Sequence, residues 1–245
     1  MNAPINWGFA EMCERAESVA DVEELFITEV KKLGFAYAAC ASHVDPMHPP
    51  PGSVMLADYP RPWMEHFSVM NYVGVDPVLF VARREALPFR WTNKKFLRRL
   101  NPAQRQVLNE ASEFGLGDGF TIPIHAPGAL SASCSVVIGP DGVDPLMVHQ
   151  AQWYSIYAHE TARRLATAKL PAAITPKLSP RERECIMQIA RGKSDFETGV
   201  IMGVSEHTVH NTVRNAIKKC GVVTRIQVFA RALRHDEIRI EDVTD

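Results

Sequence analysis

Residues 178–234 read LSPRERECIMQIARGKSDFETGVIMGVSEHTVHNTVRNAIKKCGVVTRIQVFARALR, and they contain two helix start signals. In the first signal Ser179 is followed three residues later by Glu182, and in the second Ser194 is followed by Glu197. Each pair has the pattern of a capping box, in which each side chain accepts a hydrogen bond from the other residue's exposed backbone N–H. The stretch therefore predicts short helices with defined starts.

A tight turn and a longer helix follow the second box. Gly203 can adopt a positive φ at low cost, and Ser205 can cap the helix that follows, which runs from about residue 205 to 220. Winding this helix at about 100° per residue separates two faces. The face predicted to pack inward carries Val209, Val213, Ala216, Ile217 and Cys220. The opposite face carries hydrogen-bond donors and cations, at His207, His210, Asn211, Arg214 and Lys218.

Positive charge is concentrated in this part of the chain. The segment 203–234 holds six Lys or Arg against one acid, Glu206, although the whole protein has a net charge of −1. This local excess is typical of a DNA-binding helix-turn-helix, whose second helix enters the major groove. The alternative is a solvated basic helix in an all-α domain. The capping boxes, the glycine turn and a fourth amphipathic helix favour the helix-turn-helix. The fourth helix carries Ile226, Phe229, Ala230 and Leu233.

The same stretch resembles the DNA-binding domain of the LuxR family. The matching positions are Glu182, Ile186, Gly192, Val204, Thr208 and Val209. The resemblance implies double-stranded promoter DNA as a partner and places His210 and Arg214 where relatives contact DNA. Many relatives have Lys or Arg where this chain has His210. The predicted DNA-binding residues are Ser205, Thr208, His210, Asn211, Arg214 and Lys218.

Length and composition predict two domains. A chain of 245 residues with 46% hydrophobic content can form a core-bearing first domain over residues 1–168 and a small helix-turn-helix domain over 178–245. Residues 169–177 contain two prolines and are predicted to be the linker. Five widely spaced cysteines without a CxxC pair predict reduced thiols in a cytoplasmic protein. No apolar run reaches 18 residues, so no membrane partner is expected.

The first domain is predicted to be an α/β sandwich, an antiparallel sheet flanked by helices. Segments with strand character are 35–42, 54–57, 120–125 and 130–138, the last two joined by Ala-Pro-Gly as an antiparallel pair. Helical patterns occupy two segments within 7–33, and then about 60–72, 77–85, 102–115 and 145–168.

An aromatic stripe and an Asp-Pro pair stand out in the middle of this domain. Tyr59, Trp63 and Phe67 are four residues apart, so a helix presents them on one face. Such a stripe is more often core than ligand site. Asp76 before Pro77 is a common helix N-cap, and capping alone explains that residue. No spacing or neighbouring residue by itself indicates a role for Trp91.

Taken together, three segments resemble the acyl-homoserine-lactone-binding domain of the LuxR family. They are YPRPWMEHF (59–67), NYVGVDPV (71–78) and FRW (89–91). Gly119, within GLGDGFTIPI, matches another family position. The resemblance thus covers nearly the whole chain, with two motif sets in the order that the family requires.

The resemblance implies a role for each of these residues toward a homoserine lactone. Trp63 donates to the ring carbonyl, Asp76 accepts from the amide N–H, and Tyr59 donates to the acyl carbonyl. Trp91 and Phe67 wall the site; many relatives have Tyr at the latter position. The predicted ligand-binding residues are Tyr59, Trp63, Phe67, Tyr72, Asp76, Trp91, Ser131 and Ser133. No cofactor is expected beyond this regulatory ligand, and no metal.

Three serines in SASCS (131–135) lie on one face of a predicted strand because side chains alternate with period two. This face is either simply solvated or turned toward the pocket. The resemblance places Ser131 at the pocket wall, and an inward Ser133 would suit an oxidised, hydroxylated or aryl acyl tail. The chain resembles alphaproteobacterial receptors of the family, some of which take branched or aryl groups such as p-coumaroyl.

We therefore predict a quorum-sensing transcriptional regulator and not an enzyme. Specific binding calls for a homodimer on an inverted-repeat promoter site, with RNA polymerase as a further partner. Residues Trp153, Ile156, Tyr157 and Leu165 form either the dimer interface or contacts with their own sheet. A lactonase would need a motif such as HxHxDH, HExxH or GxSxG, and none occurs. A phospho-receiver would need an acidic pair at the end of an early strand, and the strand 35–42 is followed by His43 and Asp45 without such a pair before them. A regulator that responds to another small molecule, or acts without ligand, is the remaining alternative.

Overall fold

The computed structural model describes residues 7–125, 130–168 and 177–244, and these form two units. The first unit, up to residue 168, contains a five-stranded antiparallel sheet with helices, and the second, 177–244, contains helices only. The predicted fold class, an α/β sandwich plus an all-α helix-turn-helix region, is confirmed. The predicted Ala-Pro-Gly turn (126–128) lies outside the described residues, and so does the predicted linker apart from Lys177.

The sheet is built from four predicted strands and one that was not predicted. The strands are β1 (Phe35–Ser42), β2 (Met55–Ala57), β3 (Phe89–Arg90), β4 (Gly119–Ile124) and β5 (Ala132–Ile138). Their spatial order is β2-β1-β5-β4-β3, and each neighbouring pair is antiparallel. The two-residue β3 is too short to show an alternating pattern, which explains why the sequence did not indicate it.

Seven helices accompany the sheet within the described part of the first unit. They are α1 (Trp7–Arg15), α2 (Val19–Lys32), α3 (Arg61–Val69), α4 (Pro77–Ala82), α5 (Lys94–Leu97), α6 (Pro102–Glu113) and α7 (Leu146–Ala168). A short 3₁₀ turn, Tyr72–Gly74, separates α3 from α4. The predicted helix at about 60–72 is therefore shorter than expected, and α5 was not predicted.

The two faces of the sheet have different chemistry because side chains alternate along each strand. Cys134 and Val136 of β5 belong to a core shared with α1, α2 and α7. Ser133, Ser135 and Val137 point to the opposite side, toward α3, α4 and α6. The first face is a sealed apolar core, and the second combines apolar and polar groups.

The helix α7 packs against the first of these faces. Trp153, Tyr157 and Leu165 lie half-buried against the core, and Ile156 is exposed. Three of the four apolar residues that were candidates for a dimer interface thus contact their own unit. Among the described helices, none has the length and apolar character needed to cross a bilayer.

The second unit has the four predicted helices, each with a side-chain N-cap, and a short fifth helix that was not predicted. They are α8 (Pro180–Ala190), α9 (Asp195–Met202), α10 (Glu206–Cys220), α11 (Arg225–Arg234) and α12 (Glu241–Thr244). Both capping boxes are present, Ser179 with Glu182 and Ser194 with Glu197. Gly203 adopts φ 66° between α9 and α10, the left-handed conformation that glycine tolerates best.

The predicted inward face of α10 is confirmed. Val209, Val213, Ala216 and Cys220 are buried in the core of this unit, and Ile217 packs half-buried against them. Since this face holds α10 against its neighbours, the polar residues on the other side of the helix remain at the surface.

Candidate functional site

A cavity of about 130 Å³ lies between the sheet and the helices α3, α4 and α6. Its sheet side is formed by β1, β2 and β5, and its helix side includes Trp63, Phe67, Asp76 and Val107. Roughly 10–15 Å³ suffices for one water-sized sphere, so the space admits a small organic molecule and not just a single water. The lining is mainly apolar, with few polar groups, which is typical of a small-molecule site.

From the segment 59–76, three side chains with polar groups reach this cavity: Tyr59, Trp63 and Asp76. Trp63 of α3 is buried, and its indole N–H has no hydrogen-bond partner among the described residues. The Tyr59 hydroxyl is also buried without a hydrogen bond to that part of the chain, although Ser135 lies nearby. Burial raises the pKa of this hydroxyl, so it remains protonated and can donate.

Asp76 both caps α4 and lines the cavity. Its Oδ1 accepts a hydrogen bond of 2.7 Å from the backbone N–H of Val78. Burial raises the pKa of the carboxyl to about 6, while hydrogen bonds from the α4 backbone and the charge of Arg83 oppose the rise. A partly desolvated carboxylate of this kind gains from a further hydrogen-bond donor in the cavity.

A chain of hydrogen bonds holds the wall near Tyr59. The Trp91 indole N–H donates to Thr121 Oγ1 at 2.8 Å, and Thr121 Oγ1 lies 2.8 Å from Ser135 Oγ. If the Thr121 hydroxyl donates to Ser135, the Ser135 proton is free to point into the cavity. Trp91 therefore contributes a buried ring to the wall while its N–H is already paired.

Gly119, the first residue of β4, lies against the Trp91 ring of this wall. A Cβ at Gly119 would clash with the carbonyl oxygen of Val136 and approach the Trp91 ring to 3.0 Å. The absent side chain is thus what allows the Trp91 ring to approach the β4 backbone closely. This close approach explains why position 119, the third glycine of GLGDGFTIPI, has no side chain.

Tyr72, which we predicted as a ligand-binding residue, does not line the cavity. Its hydroxyl donates to Glu110 Oε2 on α6 at 2.5 Å, and His66 Nε2 lies 2.7 Å from the same oxygen. Burial and this contact raise the pKa of Tyr72 to about 12, and the contacts from His66, Tyr72 and Gln106 lower the pKa of Glu110 to about 2. The 3₁₀ turn directs Tyr72 away from the cavity, so the residue links α3 to α6.

Ser131 also lies outside the cavity, contrary to our prediction. It is exposed and precedes β5, and among the described residues only its backbone carbonyl makes a hydrogen bond, accepting from the His43 N–H at 2.7 Å. Ser133 does line the cavity, and its Oγ lies 2.8 Å from Nε2 of His43, which lines the cavity as well. The two-residue alternation that identified Ser133 also applied to Ser135. No sequence pattern indicated His43, which follows the end of β1.

The polar face of α10 carries the predicted DNA-binding residues. Ser205 caps the helix by accepting from the Thr208 backbone N–H at 3.2 Å, and the two hydroxyls are 2.8 Å apart. Within the described chain, Arg214 and Lys218 are exposed and have no ion-pair partner. Both cations are therefore available to a polyanion.

Two side chains on this face are held by neighbours. His210 Nδ1 lies 3.4 Å from Oδ2 of Asp195, whose other oxygen accepts from Arg225 of α11 at 2.7 Å. Asn211 Nδ2 lies 3.0 Å from His207 Nε2. The exposed arc that we predicted from helical spacing is thus present, with His210 partly oriented by the preceding helix.

The chain matches two family models that together cover both units. Residues 18–162 match the autoinducer binding domain, and residues 176–232 match the bacterial regulatory proteins of the luxR family. The cavity-lining residues lie within the first match, and α10 lies within the second.

Two relatives align with most of this chain. The HTH-type quorum sensing-dependent transcriptional regulator RpaR of Rhodopseudomonas palustris is 30% identical over 239 residues, 96% of this chain and 97% of its own. The HTH-type quorum-sensing regulator RhlR of Pseudomonas aeruginosa is 32% identical over 206 residues, 78% of each chain.

The fold is shared with a solved structure. The crystal structure of Escherichia coli SdiA covers 95% of this chain and 97% of its own, with a TM-score of 0.65 and 22% identity. The two family matches and the full-length relatives establish what kind of protein this is. The chain belongs to the LuxR family and is a quorum-sensing transcriptional regulator, with an autoinducer-binding domain and a DNA-binding helix-turn-helix.

Proposed function

We propose that the cavity binds an N-acyl-homoserine lactone, and that this ligand controls binding of promoter DNA. The observation that carries the proposal is the set of polar groups in an otherwise apolar cavity: Trp63 and Tyr59 each have an unpaired hydrogen, and Asp76 accepts hydrogen bonds. A homoserine lactone amide has two carbonyls and one N–H, so its three polar groups match two donors and one acceptor.

The lactone head group is assigned to Trp63 and Asp76. The indole N–H can only donate, which suits the ring carbonyl. One oxygen of Asp76 is occupied by Val78, and the other can accept from the ligand amide N–H as a charge-assisted bond. Phe67 lies edge-on to Trp63, with ring centroids 5.8 Å apart, and closes this end of the cavity.

The acyl carbonyl is assigned to Tyr59 together with Ser135. Both hydroxyls lie at the same part of the wall, and the Ser135 proton is available to the ligand when the Thr121 hydroxyl donates to Ser135. Trp91 walls this region and makes no polar contact of its own with ligand. Tyr72 and Ser131 are not part of the proposed site, because they do not line the cavity.

The acyl tail extends along the sheet. Ala39 and Ala41 of β1 and Ala57 of β2 line the cavity with small side chains, which leaves width for a flat ring as well as for an alkyl chain. Ser133 adds polarity farther along. These features support an aryl or oxygenated tail of the p-coumaroyl type over a long saturated one.

The second half of the proposal concerns DNA. We propose two modules, residues 1–168 and 178–245, joined by the linker 169–177, with the second binding as a homodimer to an inverted repeat. Ser205, Thr208, His210, Asn211, Arg214 and Lys218 form the proposed contact surface, and RNA polymerase is a proposed partner. A dimer is expected because one helix-turn-helix contacts few base pairs, and half-sites lie about one helical turn apart.

Mass spectrometry of the purified protein tests the ligand. The protein is expressed with and without lactones that carry short alkyl, 3-oxo or aryl tails, and the retained small molecules are extracted. We expect a lactone in near-stoichiometric amount and a higher melting temperature, because ligand that binds only the folded state stabilises it. Trp63→Phe, which keeps an aromatic ring but removes the N–H, is the matched variant, and it should retain less lactone than the wild-type protein. Retention of a different small molecule, or of none, would contradict the proposal.

A further inference from the structure

A second polar position lies along the cavity from the site proposed for the acyl carbonyl. Ser133 and Ser135 of β5 both line the cavity and pair with Ala41 and Ala39 of β1. Two residues along a strand are about 7 Å apart. The cavity therefore has polar groups at two levels, each opposite a small alanine side chain of β1.

His43 and Ser133 form the second level. His43 Nε2 lies 2.8 Å from Ser133 Oγ, and the two residues are 9% and 4% exposed, so both are more than nine-tenths buried. His43 Nδ1 is buried and has no hydrogen-bond partner among the described residues. Burial lowers the pKa of His43 to about 4, with further contributions from Arg83, His125 and His159. The ring is therefore neutral near neutral pH.

Hydrogen counting shows that this pair is not satisfied by itself. A neutral imidazole has one N–H and one lone pair, and the serine has one hydroxyl proton. If Nε2–H donates to Ser133, the serine proton is free; if Ser133 donates to Nε2, its oxygen lone pairs are free. The pair can thus offer either a donor or an acceptor to a group in the cavity. A hydroxyl fits both arrangements, whereas a carbonyl or an ether fits only the first.

We propose that the His43–Ser133 pair is a subsite for a hydroxyl at the far end of the ligand's acyl tail. This inference rests on the proposed function and adds the position and type of the tail's polar group. In a 3-oxo tail the oxygen is on the second carbon beyond the acyl carbonyl. That oxygen lies too close to the acyl carbonyl to reach the His43–Ser133 pair, which is about two strand residues farther along. A hydroxyl across an aromatic ring, or on the terminal carbon of a short chain, has the required reach.

Affinities for lactones that differ by one hydroxyl test the subsite. The full-length protein is titrated with p-coumaroyl-homoserine lactone and with cinnamoyl-homoserine lactone, which lacks only the ring hydroxyl. A second pair, hexanoyl-homoserine lactone and its terminally hydroxylated form, distinguishes an aryl from an alkyl carrier. In at least one pair we expect about tenfold tighter binding of the hydroxylated member, the factor that one net hydrogen bond contributes.

Three variants locate the effect. Ser133→Ala and His43→Phe should bring the affinity ratio of that pair close to one, while the affinity for the member without the hydroxyl is retained and shows that the cavity is folded. Ser135→Ala is the matched control in the same strand, and it should weaken both members of the pair and preserve the ratio.

The outcomes separate this proposal from the proposed function. If lactones bind the wild-type protein but neither pair shows a preference for the hydroxyl, only the subsite is wrong. Persistence of the preference in both Ser133→Ala and His43→Phe would also overturn it. If no lactone binds, the proposed function and the subsite fail together.

Discussion

The Asp76 carboxylate accepts a 2.7 Å hydrogen bond from the Val78 backbone N–H while the same side chain lines the cavity. The sequence had left helix capping and ligand binding as separate explanations of this residue. The two roles are compatible, because a carboxylate has two oxygens and the cap uses one of them. A substitution that keeps the cap and alters the second oxygen can therefore separate folding from binding.

Asp76→Asn is that substitution. Asn is as good an N-cap as Asp and carries no charge, so near pH 7, where burial disfavours the ionised Asp76, the variant should be at least as stable to unfolding as the wild type. Its amide NH₂ would face the ligand N–H in place of the second oxygen, and lactone affinity should fall at least tenfold, about 1.4 kcal/mol. Urea unfolding and ligand titration check the two quantities. Asp76→Ala should lose the response and also about 1 kcal/mol of stability. An unchanged affinity in Asp76→Asn would exclude the proposed contact.

Lactone affinity should increase with pH through the raised pKa of Asp76. Without ligand this pKa is about 6, above the usual 3.8, so the contribution of this group to the stability of the unliganded fold is fully present below pH 3.8 and is lost as pH rises through 6. The ligand amide N–H favours the ionised carboxylate, so binding requires loss of the proton below pH 6. Affinity at pH 5 should be about tenfold weaker than at pH 7.5. Titrations across this range check it, and the dependence should disappear in Asp76→Asn.

Two tyrosines in neighbouring segments should respond oppositely to loss of the hydroxyl. Tyr72→Phe removes a bond to Glu110 and should cost about 1 kcal/mol of stability, with lactone affinity changed less than twofold. Tyr59→Phe removes a buried hydroxyl without a partner in the described residues, so the unliganded protein should be as stable or more stable, while affinity falls about tenfold. Thermal melts with and without lactone distinguish the two. Equal loss of affinity in both variants would contradict the assignment.

Gly119→Ala should disrupt the wall formed by Trp91. The added Cβ clashes with the Val136 carbonyl oxygen, and overpacking of this kind costs about 1–3 kcal/mol. Gly117→Ala is the matched control, since its Cβ would meet Ser112 at ordinary distances, 3.5 Å to Cβ and 3.9 Å to Cα. Urea unfolding should show the loss in the first variant and little change in the second. Equal stability of the two would mean that β4 shifts at no cost.

Arg214→Ala should weaken DNA binding without changing lactone affinity. The side chain is exposed and has no ion-pair partner among the described residues, so its loss should not destabilise the second unit. If it contacts a phosphate, the slope of log affinity against log salt should fall by about one. Arg181→Ala removes the same charge from α8, where Arg181 pairs with Glu184, and serves as control. An equal effect of both variants would indicate non-specific attraction and not contact by α10.

The sequence was sufficient to predict the second unit because its determinants are local. Ser179, Ser194 and Gly203 act within a few residues of themselves, and the α10 face follows from helical spacing. The strands β1, β4 and β5 were also predictable from composition and length. β3, α5 and α12 were not, because two to four residues are too few to show a period.

The cavity was only partly predictable, because some of its features follow from residue type and local spacing and others from contacts between distant parts of the chain. The sequence by itself determined which residue types were present at the family positions Tyr59, Trp63, Asp76 and Gly119, and it determined the alternation that turns Ser133 inward. Only the tertiary structure decided that Tyr72 binds Glu110, that Ser131 remains outside, and that His43 meets Ser133. Those contacts join residues that are 38 and 90 positions apart. Chain periodicity contains no information about such distances, since they depend on how helices and strands pack.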